Sequence, residues 1–273
     1  MKRAETARTR PAQRGFSLIE MMVVVIIVSI VVAAVLTQVD QTQQRATAEQ
    51  GKLDQFQAAR NFVDQISSDV RQMGYPNLHN FDTTTAIWTA LPANMYIDSN
   101  QVAGGLLKLT PNQLVFEGDV DGSGNVSIVS YTVNGDGACA NCLERAQATK
   151  ATSASAGSNS AYLTWAQGLI TVAGFTAEIR NVQNVSSATN PIFKAYDYAG
   201  NALPASMDIG GDPTDIAKAR SIQISLDISD PTKIDPKTNQ ALEANITSRV
   251  QIVNCSMATT GLSTPGGLQL TCQ

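Results

Sequence analysis

Between Phe16 and Leu36 the chain runs for 21 residues with one charged side chain, Glu20. That length suffices to cross a bilayer as a helix. A carboxylate just inside such a helix costs on the order of a few kcal/mol unless it finds a partner, so Glu20 is a functional candidate by position alone. Ahead of the apolar run, residues 1–15 carry Lys2, Arg3, Arg8, Arg10 and Arg14 against Glu5, a side-chain charge of +4. The positive-inside rule puts that segment in the cytoplasm and the residues beyond Leu36 outside it. A secretory signal would place its small-residue cleavage site after the apolar stretch. Here the small residue, Gly15, comes before it, and Thr37-Gln38-Val39-Asp40-Gln41 offers no Ala-x-Ala pattern. A cut after Gly15 would strip the charges and leave the hydrophobic helix as the new N-terminus.

Arg14-Gly15-Phe16-Ser17-Leu18-Ile19-Glu20 resembles the class III leader of type IV prepilins and type II secretion pseudopilins. The resemblance implies that a prepilin peptidase cuts after Gly15 and that Phe16 becomes N-methylated. It also implies that Glu20 pairs with the terminal amine of a neighbouring subunit during assembly. Other major and minor pilins and an inner-membrane assembly platform are then the implied partners. The implied location is the inner membrane, single-pass with the head in the periplasm, and then a pilus or pseudopilus.

Removal of residues 1–15 leaves 258 residues with 14 Lys and Arg against 22 Asp and Glu, a net charge of −8 where the full chain has −4. That balance argues against general electrostatic binding of nucleic acid, while leaving room for a local basic patch. The chain divides into a leader (1–15), a transmembrane and assembly helix (16–36), an amphipathic stalk (37–74) and a β-rich head (75–273). The head is large enough for one sizeable core or two small lobes.

From Gln38 to Gln72 the pattern stays helical, with Gly51 its only glycine and no proline. Leu53, Phe56, Val63, Ile66, Val70 and Met73 recur at helical intervals and predict one apolar stripe packed on a sheet. Gly74-Tyr75-Pro76 predicts the end of the helix. A helix over 16–73 would be 58 residues, roughly 87 Å at 1.5 Å per residue. This half-membrane, half-packed helix resembles the pilin stalk. Major pilins commonly carry a glycine and a proline in the membrane half; this run has neither, a departure toward minor pilins and pseudopilins.

Beyond Pro76 the composition turns to short β-like runs separated by Gly, Asn, Asp, Ser and Pro. The predicted strands are 113–117, 126–133, 161–165, 169–181, 192–198, 221–228 and 245–253. In the sixth, Ile222, Ile224, Leu226 and Ile228 alternate onto one face, which suits an antiparallel sheet. Residues 146–160, rich in Ala, Ser, Thr and Gly, read as a mobile surface loop. A helix followed by strands gives an α+β class.

Three constellations invite chemistry. Asp119, Asp121, Ser123 and Asn125, with Gly124, fit the opening of a calcium loop, in which alternating oxygens face one cation. Position 130, where a bidentate glutamate belongs, is Ser130. The preferred reading is a hairpin turn, with weak Ca²⁺ binding as its rival and no other cofactor indicated. The segment Phe116–Gly122 also resembles the hairpin of PilW-type minor pilins, as does the closing run Arg249–Asn254. The four cysteines admit three disulfide connectivities, with a Cys₄ zinc site disfavoured by the wide spacing of Cys255 and Cys272. Cys139–Cys142 and Cys255–Cys272 are the preferred pairs; the resemblance implies the second, because pilins often staple their C-terminal region. Finally, the chain's one histidine, His79, lies near no nucleophile motif, and no phosphate loop is present, so an enzyme is not expected. The resemblance therefore implies a PilW-type minor pilin. A GspJ-like pseudopilin, or a tip adhesin or DNA-uptake pilin, are the alternatives.

Overall fold

The computed structural model describes residues 17–76, 100, 102–134, 139, 141–150, 158–185, 187, 189–234, 238 and 240–252. Helix α1 spans Leu18–Gln72, 55 residues without interruption, as the absence of proline and the single glycine dictate. It stops where Met73 forms a β-bridge to Gly118 and Gly74 turns with φ 77°. The strands then run as β1 (Leu106–Thr110), β2 (Gln113–Gly118), β3 (Ser127–Asn134) and β4 (Cys142–Thr149). Helix α2 (Asn159–Ala173) precedes β5 (Thr176–Ile179), β6 (Phe193–Tyr196) and β7 (Met207–Asp208). Helix α3 (Pro213–Lys218), β8 (Ser221–Ile234) and β9 (Ala241–Gln251) complete the order. One antiparallel sheet runs β5-β4-β3-β2-β1-β7 and a second runs β6-β8-β9. A long N-terminal helix packed on antiparallel sheets is the pilin-like α+β arrangement.

Both faces of the larger sheet are covered, which explains why Leu114-Val115-Phe116-Glu117-Gly118 is buried without alternation. Phe116 stacks with Tyr131 of β3, and the edge of that ring meets Phe62 of α1 at 5.7 Å between centroids. On the opposite face Tyr162 and Ala166 of α2 are buried, and α2 packs on β3 and β4. The second sheet lays Ile222, Ile224, Leu226 and Ile228 inward, as their alternation predicts, and α1 packs on β8 and β9. Where α1 ends, the two backbones come so close that a Cβ on Gly118 would collide with the carbonyl oxygen of Gln72. Gly74 N–H donates to the Glu117 carbonyl at 2.8 Å beside that contact, so the helix end is sewn to β2 by main chain.

Several expectations change. Of the stripe, Val63, Ile66, Val70 and Met73 are buried, whereas Leu53 is 68% and Phe56 45% exposed: they line an open pocket with Glu243, Ala244 and Asn245 of β9, which leaves their side chains uncovered. Residues 161–165, predicted as a strand, are helical, as is 169–173 of the predicted strand 169–181. Tyr, Trp, Thr, Ile and Val favour strands locally. Here the 3.6-residue spacing of Tyr162, Leu163, Ala166 and Ile170 prevails, with Ser158 accepting a bond from Ala161 N–H at the start and Gly174 (φ 83°) at the end. The expected loop 146–160 opens as the last half of β4 and closes as the start of α2, with Lys150 buried between them. Strands β1, β4 and β7 and helix α3 were not predicted.

Candidate functional site

Ser17 is extended (φ −71°, ψ 141°), and its carbonyl accepts the first helical bonds from Glu20 and Met21 N–H at 3.0 and 3.2 Å. Glu20 therefore sits in the first turn, where unpaired N–H groups and the helix dipole favour a negative charge. Every side chain from Leu18 to Leu36 is exposed, including Ile19 at 72% and Ile30 at 65%. The helix is long and apolar enough to span a membrane. Within that stretch the Ser29 hydroxyl is satisfied by the Val25 carbonyl at 2.7 Å, and just beyond it Thr37 bonds the Ala33 carbonyl at 2.9 Å. In lipid such i−4 bonds hide a hydroxyl within the helix. Glu20 has no such outlet, and among the described residues its carboxylate has no side-chain partner. Leu18–Leu36 thus presents an apolar surface on which the one charge, Glu20, is unanswered among the described residues.

The other half is locked to the head. Asp69 lies three residues after Ile66 and seven after Phe62, on the buried stripe itself. Its Oδ2 accepts from the Tyr131 hydroxyl at 2.6 Å and from Arg145 Nε at 3.0 Å, and Arg145 Nη2 stands 2.9 Å away. Arg145 continues to Gln147, and Gln147 to Ser127, at 2.9 and 3.1 Å. Burial first, then the Asp69 charge, pushes the Tyr131 phenol far above its ordinary value, so it acts as a donor. Burial alone would lower the Arg145 pKa, but Asp69 and Tyr131 outweigh it and the net shift is upward. This cluster fixes which side of the helix meets the sheet.

A second buried cluster sits on the α2 side. Lys150 Nζ and Glu117 Oε2 are 3.0 Å apart, both side chains fully buried. Lys150 also donates to the Val102 carbonyl at 2.9 Å, Gly104 N–H donates to Glu117 at 2.6 Å, and the Tyr162 hydroxyl donates to the remaining Glu117 oxygen. Every acceptor is answered within the head, and the cluster joins β2, α2 and the chain after β4.

The acidic loop between β2 and β3 behaves as a turn. Asp119 accepts from Ser123 and Gly124 N–H at 3.0 and 2.9 Å, and Asp121 accepts from Ser123 N–H at 3.0 Å. Ser123 Oγ accepts from Asn125 N–H at 3.3 Å. Gly122 and Gly124 adopt φ of 67° and 81°, which only glycine takes freely. These bonds to Ser123 hold the Asp121 carboxyl below its ordinary pKa. Among the described residues no group of three or more His, Cys, Asp or Glu is placed to hold a metal. Cys139 and Cys142 are joined as a disulfide at the start of β4, their Cα atoms 5.5 Å apart. Gly15, Phe16, His79, Cys255 and Cys272 lie outside the described residues.

Residues 10–36 match the prokaryotic N-terminal methylation motif. The chain carries a prepilin leader. The match covers Gly15, Phe16 and Glu20 and ends with the exposed apolar part of α1, so the sequence motif and the uncovered helix mark the same stretch. It supports a type IV pilin or pseudopilin, a structural family that a prepilin peptidase processes and that assembles with other pilins. No curated protein and no solved structure matches the chain. Sequence reasoning located the leader but missed Asp69, Tyr131, Arg145, Glu117 and Lys150. Asp69 left a readable trace, a carboxylate in phase with Phe62, Ile66 and Met73. Glu117 left another, a charge inside an unbroken apolar strand.

Proposed function

We propose that the protein is a minor type IV pilin of the PilW type, cleaved between Gly15 and Phe16 and N-methylated on Phe16. It is held in the inner membrane until it enters a filament, where it helps initiate or cap assembly. One observation carries this reading: a leader motif laid over an exposed apolar helix whose one charge, Glu20, has no side-chain partner among the described residues. In a neighbour-to-neighbour contact, the freed amine of one subunit and Glu20 of another are opposite charges in a medium of low dielectric, where attraction is poorly screened. Packing of the Phe16–Leu36 surfaces holds the bundle, since lipid supplies little hydrophobic drive of its own. The unbroken α1 also favours a second reading, a GspJ-like minor pseudopilin of a type II secretion machine; neighbouring genes for secretion-channel components would select it.

The test is a pair of variants expressed in the native cell. Gly15→Ala accumulates at full-length mass, and detection of N-methyl-Phe16 in that variant would refute the leader assignment. Glu20→Val is processed normally yet enters filaments at least tenfold less than the wild type. Unchanged incorporation would remove the pairing mechanism.

A further inference from the structure

The polar face of the β6-β8-β9 sheet carries an arginine that is held in place while its terminal nitrogens meet no partner among the described residues. Arg249 on β9 lies with its guanidinium carbon 4.0 Å from the ring centroid of Tyr196 on β6. Its Nε donates to Ser221 Oγ at 2.8 Å, which fixes the plane of the fork. Tyr196 is held in turn, its hydroxyl 2.8 Å from Gln223 Oε1, and Gln223 donates onward to Ser225. Lys194 brings a second cation, its Nζ 5.5 Å from the same ring. Register aligns Lys194, Gln223 and Arg249 in one row across the three strands. Among the described residues neither cation has a carboxylate within ion-pair distance, and the terminal nitrogens of Arg249 make no hydrogen bond.

An isolated surface arginine is mobile and contributes little on pairing. Stacking and the Ser221 bond remove that mobility in advance, which lowers the entropy lost when a ligand binds. A planar, oriented fork matches a carboxylate or phosphate with two parallel hydrogen bonds. The rest of the face decides between them. Asp227 pairs in register with Asn245, four residues from Arg249 on β9, or roughly 13 Å at 3.3 Å per residue. Glu243 is exposed still further along the same strand. Those acids confine the cationic patch to Arg249 and Lys194, enough to meet one carboxylate side chain but too few for the many neutralised phosphates on which non-specific nucleic-acid binding draws. Tyr198, two residues beyond Tyr196, is 92% exposed. An arginine stacked on a tyrosine is a pairing of the residue types enriched at protein–protein contact centres.

We propose that Arg249, Lys194 and Tyr196 form a docking site for an acidic protein surface that presents a carboxylate side chain to the Arg249 fork. The site is separate from the leader and does not rest on its cleavage. The test titrates the full chain in lipid nanodiscs with a deca-glutamate peptide at low ionic strength, following the Arg249 guanidinium NMR signals. Deca-glutamate shifts those signals; Arg249→Gln and Arg249→Lys weaken binding at least tenfold, and Lys194→Gln about threefold, with unchanged backbone spectra. Deca-glutamine produces no shift. Wild-type affinity in Arg249→Gln, no binding of deca-glutamate, or tighter binding of deca-thymidylate or oligogalacturonate at the same residues would each overturn the proposal.

Discussion

Of the six acidic residues of helix α1, two stand in opposite circumstances, Glu20 near its start and Asp69 near its end. Asp69 is buried and shared between a phenol and a guanidinium of the larger sheet. Glu20 stands among exposed apolar side chains with no such group among the described residues of its own chain. A folded head resolves its own charges because an unpaired buried carboxylate is too costly to keep. The N-terminal half leaves its charge unresolved, which makes sense for a surface completed by another subunit. The same helix is therefore a folding element at one end and an assembly element at the other, and substitutions should sort accordingly.

The sharpest separation comes from removing each acid. Asp69→Ala strands Arg145 and Tyr131 without their acceptor in a mostly buried site, and breaking one side of such a pair costs about 3–5 kcal/mol. Urea unfolding of the full chain in detergent micelles, read by tryptophan fluorescence, should show that loss. Glu20→Val should leave the same curve in place while abolishing filament entry. If both variants unfold like the wild type, the division of the helix into two functions fails.

A paired isoleucine truncation tests the apolar side of the comparison. Ile66 is fully buried and Ile26 is 57% exposed. Ile66→Ala removes packed methylenes and leaves a cavity, a cost of about 2–5 kcal/mol. Ile26→Ala should move head stability by no more than about 0.5 kcal/mol, as surface changes do. A comparable loss from Ile26→Ala would mean that the N-terminal half packs on its own head.

This division was only partly legible beforehand. The leader, the continuous helix and the hairpin around Asp119 are local: they depend on spacing, on the absence of breakers and on turn-forming residues, all visible along the chain. The inward face of β8 was equally plain, because Ile222, Ile224, Leu226 and Ile228 alternate without exception. What escaped was set by distant partners. Tyr162 to Ala173 has strand-forming residues and becomes a helix because its 3.6-residue face meets β3 and β4. Lys150 looked like part of a polar loop until Glu117, 33 residues earlier, was brought beside it. Leu53 and Phe56 continue the stripe perfectly in sequence, yet they line an open pocket beside Glu243, Ala244 and Asn245 of β9 and stay exposed, which no helical period records.

The smallest expected effect is also the most specific, and it concerns pH. Tyr131 keeps its proton in the folded head well past the ordinary tyrosine value of about 10, first because it is buried and second because Asp69 is negative beside it. In the unfolded chain the same phenol ionises near 10. Above that pH the native state binds the extra proton, so this group lowers stability as pH rises, by at most about 1.4 kcal/mol per unit; below it the group adds no slope. Tyr131→Phe removes that slope. At pH 8 it also loses a hydrogen bond to a charged acceptor, about 1.5–3 kcal/mol. The gap between wild type and Tyr131→Phe in urea unfolding should therefore narrow from pH 9 to pH 11, while the gap between wild type and Glu20→Val stays at zero throughout. A Tyr131→Phe gap that stays constant over that range would show that the phenol ionises in the folded head as freely as in water, and that Asp69 does not hold it.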